Sequence, residues 1–166
     1  EEMNLTVAEL SDETRKKLKG IFPDWMPVAN PVDLWPAMEK HAATDVDIYS
    51  AAMKAVLADP NVDAVLLHVF VGNFRIRVNL ADLAEQSRTA GKPVFIWLLG
   101  RRDEAFQTQI TARQCGVPVF QELYRAVECL STVMHRKKQA IPDISAQKPN
   151  GSSPLAPKLQ LFLNEA

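Results

Sequence analysis

Two cysteines, Cys115 and Cys129, are all the thiol chemistry in these 166 residues, and no CxxC spacing joins them to a partner. Both fall in helix-like segments, where they read as buried reduced thiols of a cytosolic protein. Charge of either sign is not in excess: 19 Lys and Arg stand against 20 Asp and Glu. That balance gives no electrostatic reason to expect nucleic acid or an anionic membrane as partner. No apolar run approaches the roughly 18 residues of a spanning helix. The opening Glu1-Glu2-Met3-Asn4 is acidic where a secretory signal is basic. Neither a P-loop nor a nucleophile–base pair can be found. The expected compartment is the cytoplasm, with neither nucleic acid nor membrane as partner.

What is present is apolar material, 47% of the chain, enough for one sizeable core. The stretch from Val62 to Gly91 organises the rest. Ala64 to Val71 is almost wholly apolar and rich in Val and Leu, the pattern of a strand buried on both faces. His68 within it is expected to be a hydrogen-bonded core residue, since no Cys, His or carboxylate lies at metal-ligand spacing from it. Gly72-Asn73 follows, then a loop, then a helix with Asn79 as cap and Gly91 as stop. A buried strand feeding a loop and a helix is half of a βαβ unit, which carries its ligand at the strand's C-terminal edge.

The other segments repeat this pattern. Asn4 to Leu10 reads as a short strand, followed by a helix from Ser11 that Pro23 ends. Thr44 to Ala58 reads as an amphipathic helix with Thr44 and Asp47 as its capping box, and His41 before it as solvated. Val94 to Leu99 is a second buried strand, Phe106 to Gln114 a helix ended by Gly116, Val117 to Phe120 a third strand, and Glu122 to Arg136 the last helix. Strands alternating with helices predict an α/β fold: a flavodoxin-like parallel sheet with helices on both faces. A doubly wound sheet begins with its central strand, whereas this chain opens on an edge strand. The sheet is therefore expected to lack its first strand, as in an excised piece. The folded unit is expected over 1–138. Residues 139–166, with Pro142, Pro149, Pro154 and Pro157 around Asn150-Gly151-Ser152-Ser153, read as a Pro-rich linker.

Two places are candidates for chemistry. Residues 27–33, PVANPVD, form a loop in which Pro31 restricts both itself and Asn30. Asn30, Pro31 and Asp33 fit a structural Asx-type turn first, with the edge of an active site as the alternative. Arg101 and Arg102, after the second buried strand, could grip a phosphate or carboxylate, or stand solvated on the surface.

The run LTVAELSDETRKKLKGIFPDWMPVANPVDLWPA, then LADPNVDAVLLHV and GKPVFIWLLGRR, closely resembles the NDP-forming acyl-CoA synthetases over residues 5 to 136. DPNVDAVLLHVFVGNFR is more remotely similar to the carboxy-terminal domain of the succinyl-CoA synthetase β-subunit. LNEA at 163–166 looks like the opening of the ATP-grasp domain that follows in fused members. The resemblance implies that acyl-CoA, ADP and phosphate interconvert with acid, CoA and ATP through a phosphohistidine. It implies ATP/ADP, Mg2+ and CoA as cofactors of a parent enzyme, none of them in this piece. It implies as partners the CoA-binding and ATP-grasp domains or separate subunits, with a homodimer also possible. It places the phosphate cradle at Gly72, Asn73, Phe74 and Arg75, where a helix N-terminus favours an anion. The family's active histidine lies in a Ser-His-Thr-Gly segment, and neither His41, His68 nor His135 has that context. The Asn-Gly-Gly-Gly loop that follows the first strand in relatives is also missing. Alone, the piece is expected to be inert. The alternative is an acyl-CoA-sensing or regulatory domain of a fusion, for example with an acetyltransferase. A response-regulator receiver or flavodoxin shares the sheet, but Phe70-Val71 and Leu99-Gly100 stand where a receiver needs its acid and lysine.

Overall fold

The computed structural model describes residues 3–72 and 78–138. The elements in order are α1 (Asp12–Ile21), α2 (Trp35–Lys40), α3 (Ile48–Leu57), β1 (Val65–Val71), α4 (Leu80–Ala90), β2 (Val94–Gly100), α5 (Arg102–Cys115), β3 (Val119–Phe120) and α6 (Leu123–Lys138). The fold is α/β, with three parallel strands in the order β1-β2-β3. Val65 pairs with Val94 and Val71 with Gly100, so both strands end on one edge of the sheet.

Local chemistry accounts for the helix ends. The Ser11 hydroxyl accepts from the Thr14 N–H at 3.3 Å and opens α1. Asn79 accepts from the Asp82 N–H at 3.1 Å and opens α4. Gly91 and Gly116 close α4 and α5 in the left-handed region, at φ 64° and 74°. Asn79→Ala is expected to lower stability by about 1 kcal/mol in a urea titration.

One face of the sheet, with Leu67, Val69, Ile96 and Leu98, is buried under α3, α4 and α5. Ile96 and Leu98 are fully buried, and truncating either to alanine is expected to cost about 2–5 kcal/mol. On the opposite face α6 covers only one end: Leu130 and Met134 pack on Phe95, with Leu5, Leu66 and Phe120 around them. A third cluster joins Leu10, Leu18 and Phe22 to Ala52 and Ala55 of α3.

Five expectations are corrected. Residues 5–10 are not a strand. The Ala8 carbonyl accepts from Asn30 Nδ2 at 2.9 Å and the Glu9 carbonyl from Asn61 Nδ2 at 3.0 Å, so side chains meet backbone groups that a neighbouring strand would otherwise bond. β1 is buried on one face only, because α6 stops short of His68 and Phe70, which are exposed. α3 begins at Ile48 rather than Thr44: Asp47 caps it by accepting from the Ser50 N–H at 2.9 Å. The Thr44 hydroxyl instead donates to the His41 carbonyl. His41 is not merely solvated, since its Nε2 bonds the Ile21 carbonyl at 3.1 Å. Finally, α2 forms in a stretch where no helix was expected; Pro36 sits in its first turn, where a missing N–H does no harm.

Candidate functional site

The C-terminal edge of the sheet is shaped by Val71, Gly72, Gly100 and Arg101. Val71 ends β1, and its carbonyl accepts from the Arg101 N–H at 2.9 Å. Gly72 has φ 151°, and a side chain there would meet Arg101 Cγ at 3.4 Å. The strand-to-helix turn after β2 therefore lies directly against the start of the loop after β1. α5 begins at this edge beside Arg101 and Arg102, with no side-chain cap from Arg101. Asp103 and Glu104 already sit in that first turn, and Glu104 lies 3.8 Å from Arg101 Nε. An anion entering here competes with those carboxylates for Arg101. Asn73, Phe74 and Arg75 lie outside the described residues.

The second candidate group lies along the outer edge of β1. Asn30, Pro31 and Asp33 line a cavity of about 540 Å³ together with Tyr49, Met53 and residues 65–68 and 70. The Asn30–Pro31 peptide is cis. Asp33 Oδ1 accepts from the Trp35 N–H at 3.0 Å, an Asx turn that starts α2. Asn30 is tied to Ala8 as described. The Asx turn is thus formed, and the same residues border the cavity. The cavity reaches Phe70, two positions before Gly72.

His68 is not in a packed interior. Its ring lies 4.5 Å from the Trp97 ring, tilted by 33°. Partial burial pushes its pKa below the usual histidine value, which favours the neutral ring. Burial likewise pushes the Tyr49 hydroxyl up, so it stays protonated. Sequence reasoning missed Tyr49 as a cavity residue; its only signal was a place on the buried stripe of α3. It also missed a polar clamp between α3 and α4. The Ser50 hydroxyl donates to Asp82 Oδ2 at 2.6 Å, and Gln86 Nε2 donates to both, at 2.8 and 2.7 Å. This clamp joins the two helices.

Among the described residues no group of three or more His, Cys, Asp or Glu could hold a metal ion. No helix among them is long and apolar enough to cross a membrane.

No family model matches the sequence. The ADP-forming acetate–CoA ligase II of Archaeoglobus fulgidus is 31% identical over 137 residues, covering 82% of this chain and 20% of the ligase. Over most of its own length the chain is thus similar to one part of an ADP-forming acyl-CoA synthetase. Two solved structures share the fold. A crystal structure from Pyrococcus horikoshii OT3 superposes with a TM-score of 0.63 at 23% identity, over 84% of this chain and 32% of that one. The apo form of the dinucleotide forming acetyl-coenzyme A synthetase 1 of Ca. Korarchaeum cryptofilum gives 0.58 at 18%, over 82% and 29%. The chain therefore spans a fifth of the length of the ligase and about a third of each of the two solved chains.

Proposed function

We propose that this chain is one domain of an acyl-CoA synthetase that interconverts acyl-CoA, ADP and phosphate with acid, CoA and ATP. The observation that carries this reading is the 31% identity over 137 residues to part of an ADP-forming acetate–CoA ligase. The folded domain is residues 1–138, and 139–166 lead toward an ATP-grasp domain. The reacting histidine belongs to another part of the protein, as do the residues that hold ATP, CoA and Mg2+. The described residues do not fit a magnesium site, having no cluster of carboxylates to supply one.

The role of this domain is to hold the phosphoryl group at the C-terminal edge of its sheet. Gly72, Asn73, Phe74 and Arg75 form one side of the cradle. The uncapped start of α5, with Arg101 and Arg102, supplies N–H groups and positive charge on the other. Gly72 supports this role through its lack of a side chain, which lets backbone approach the anion. Asn30, Pro31 and Asp33 hold the loop along the outer edge of β1, where the cavity reaches Phe70, two positions before Gly72.

The test is made on the protein with its native flanking sequence, given acetyl-CoA, ADP and phosphate. ATP should form, with an acid-labile phosphohistidine on the way, while the 166-residue chain alone should form none. Gly72→Val should lower phosphohistidine formation by at least about tenfold. Acyl-CoA binding without ATP or phosphohistidine would overturn the synthetase reading in favour of an acyl-CoA-sensing domain. ATP made by the 166-residue chain alone would overturn the division of labour.

A further inference from the structure

α3 and α4 lie side by side and run the same way. Ser50 in the first turn of α3 meets Asp82 in the first turn of α4. Just past their far ends, Lys92 Nζ donates to the Asp59 carbonyl at 2.6 Å. α4 ends at Ala90, close to where β2 begins at Val94, and Val94 pairs with Val65, the first residue of β1. Both helices therefore start at the edge where β1 and β2 finish. Two positive dipole ends stand together there.

An acid in such a place has two opposed effects. It stabilises its own helix, and it uses positive potential that an incoming anion would otherwise meet. Asp82 stands three positions after the Asn79 cap, where an acid ordinarily reaches back to the N–H of the capping residue. Here its bonds are made elsewhere. Its Oδ2 accepts from the Ser50 hydroxyl at 2.6 Å and from Gln86 Nε2 at 2.7 Å, which draws the carboxylate sideways onto α3. Gln86 Nε2 also donates to the Ser50 hydroxyl oxygen at 2.8 Å, so that hydroxyl is left to donate to Asp82. Gln86 Oε1 is buried without a partner among the described residues. An orphaned acceptor opposes folding, and an apolar side chain at 86 would join the helices without it. What the amide gives in return is its hold on the carboxylate.

We propose that Ser50 and Gln86 are positioning residues. They hold the Asp82 carboxylate against α3 and off the end of α4, and so leave that end positive toward the phosphoryl group. The inference rests on the reading of this edge as the phosphate cradle of a synthetase. Released from the two donors, the Asp82 carboxylate would turn back over the first N–H groups of α4, as acids at this position do. It would then occupy the anion's place and repel the anion itself.

The test measures KM for phosphate and kcat for ATP synthesis from acetyl-CoA and ADP, with the protein in its native flanking sequence. Ser50→Ala combined with Gln86→Leu should raise the KM for phosphate at least about threefold. Adding Asp82→Asn should return the KM to within about twofold of wild type while the melting temperature stays lowered, because the charge is gone but the clamp is still broken. The ratio of the KM values of the paired variant and wild type should narrow in about 1 M KCl, which a purely structural loss would not do. Should the paired variant fail to fold, Gln86→Leu with and without Asp82→Asn gives the same comparison. A KM that stays raised after Asp82→Asn is added would overturn the proposal, since the clamp would then act only by joining the helices. An unchanged KM on breaking the clamp would overturn it too, as would a KM raised by Asp82→Asn alone. A wild-type protein that makes no ATP would sink the synthetase reading, and this inference with it; an active wild type with no rescue by Asp82→Asn would sink this inference alone.

Discussion

Asp59→Ala should be among the most destabilising single substitutions in this chain, lowering stability by about 2–4 kcal/mol and the melting temperature on the order of 10 °C. Asp59 is fully buried, with 0% exposure. Its Oδ2 accepts from the Ser11 N–H at 2.8 Å and the Ser11 hydroxyl at 3.0 Å. Its Oδ1 accepts from the Asn61 N–H at 2.9 Å, and its carbonyl accepts from Lys92 Nζ at 2.6 Å. One residue thus ties the start of α1, the turn after α3 and the approach to β2. Removing the carboxylate leaves the Ser11 and Asn61 donors without it.

The same carboxylate sets an acid limit. Burial alone would raise its pKa, but the hydrogen bonds from Asn61, Thr14 and Ser11 outweigh that and hold it at about 2, below the ordinary 3.8. A depressed folded pKa means that the unfolded chain binds the proton first. The contribution of Asp59 is therefore complete above about pH 4 and is lost as pH falls through 3.8 toward about 2. Urea titrations of the wild type and Asp59→Asn at pH 7, 4, 3 and 2 should show a stability gap that closes across that window. A gap unchanged from pH 7 to pH 2 would mean the carboxylate's charge is not what holds this junction.

Gly100→Ala should be worse still, costing more than about 4 kcal/mol or preventing folding. Gly100 has φ 131°, and a Cβ there would lie 1.7 Å from the Val71 carbonyl oxygen and 2.6 Å from its carbon. These are backbone atoms of the paired strand, fixed by the register of Val71 with Gly100 and by the Arg101 hydrogen bond. Neither can give way without parting the ends of β1 and β2. Gly91→Ala is the control. Its φ is 64° but nothing lies within 4 Å, so backbone strain alone should cost about 1 kcal/mol. Equal losses for the two variants would show that the collision at Gly100 is relieved by a shift of the turn. The larger loss would establish Gly100 as the residue that closes β1 onto β2 at the proposed phosphate edge.

Apart from α2, the helices were legible from the chain because their signals are local. Ser11, Asn79, Gly91 and Gly116 act within four residues of themselves, and the apolar stripes repeat at helical spacing. The parallel order of β1, β2 and β3 was legible too, because each apolar run is followed by a helix that must return the chain to the same edge. The candidate residues at 30–33 were found through Pro31, whose effect on Asn30 is also local. What escaped was whatever depends on distant partners. Asp59 carried no local signal of its role, since its partner Ser11 is 48 positions away. Residues 5–10 had the alternation of a strand, but pairing needs a neighbour, and Asn30 and Asn61 bond their carbonyls instead.

The sequence by itself determined the α/β class, the helix termini, the edge on which the loops gather, and the resemblance to the NDP-forming acyl-CoA synthetases. Only the tertiary structure decided that β1 is covered on one face, that its outer edge borders a cavity, and that Gly72 and Gly100 meet across Arg101. The physical reason is that hydrogen-bonding preference and apolar periodicity are written residue by residue. Burial and edge exposure depend on which other elements are present to pack, and α6 reaches only one end of the second face.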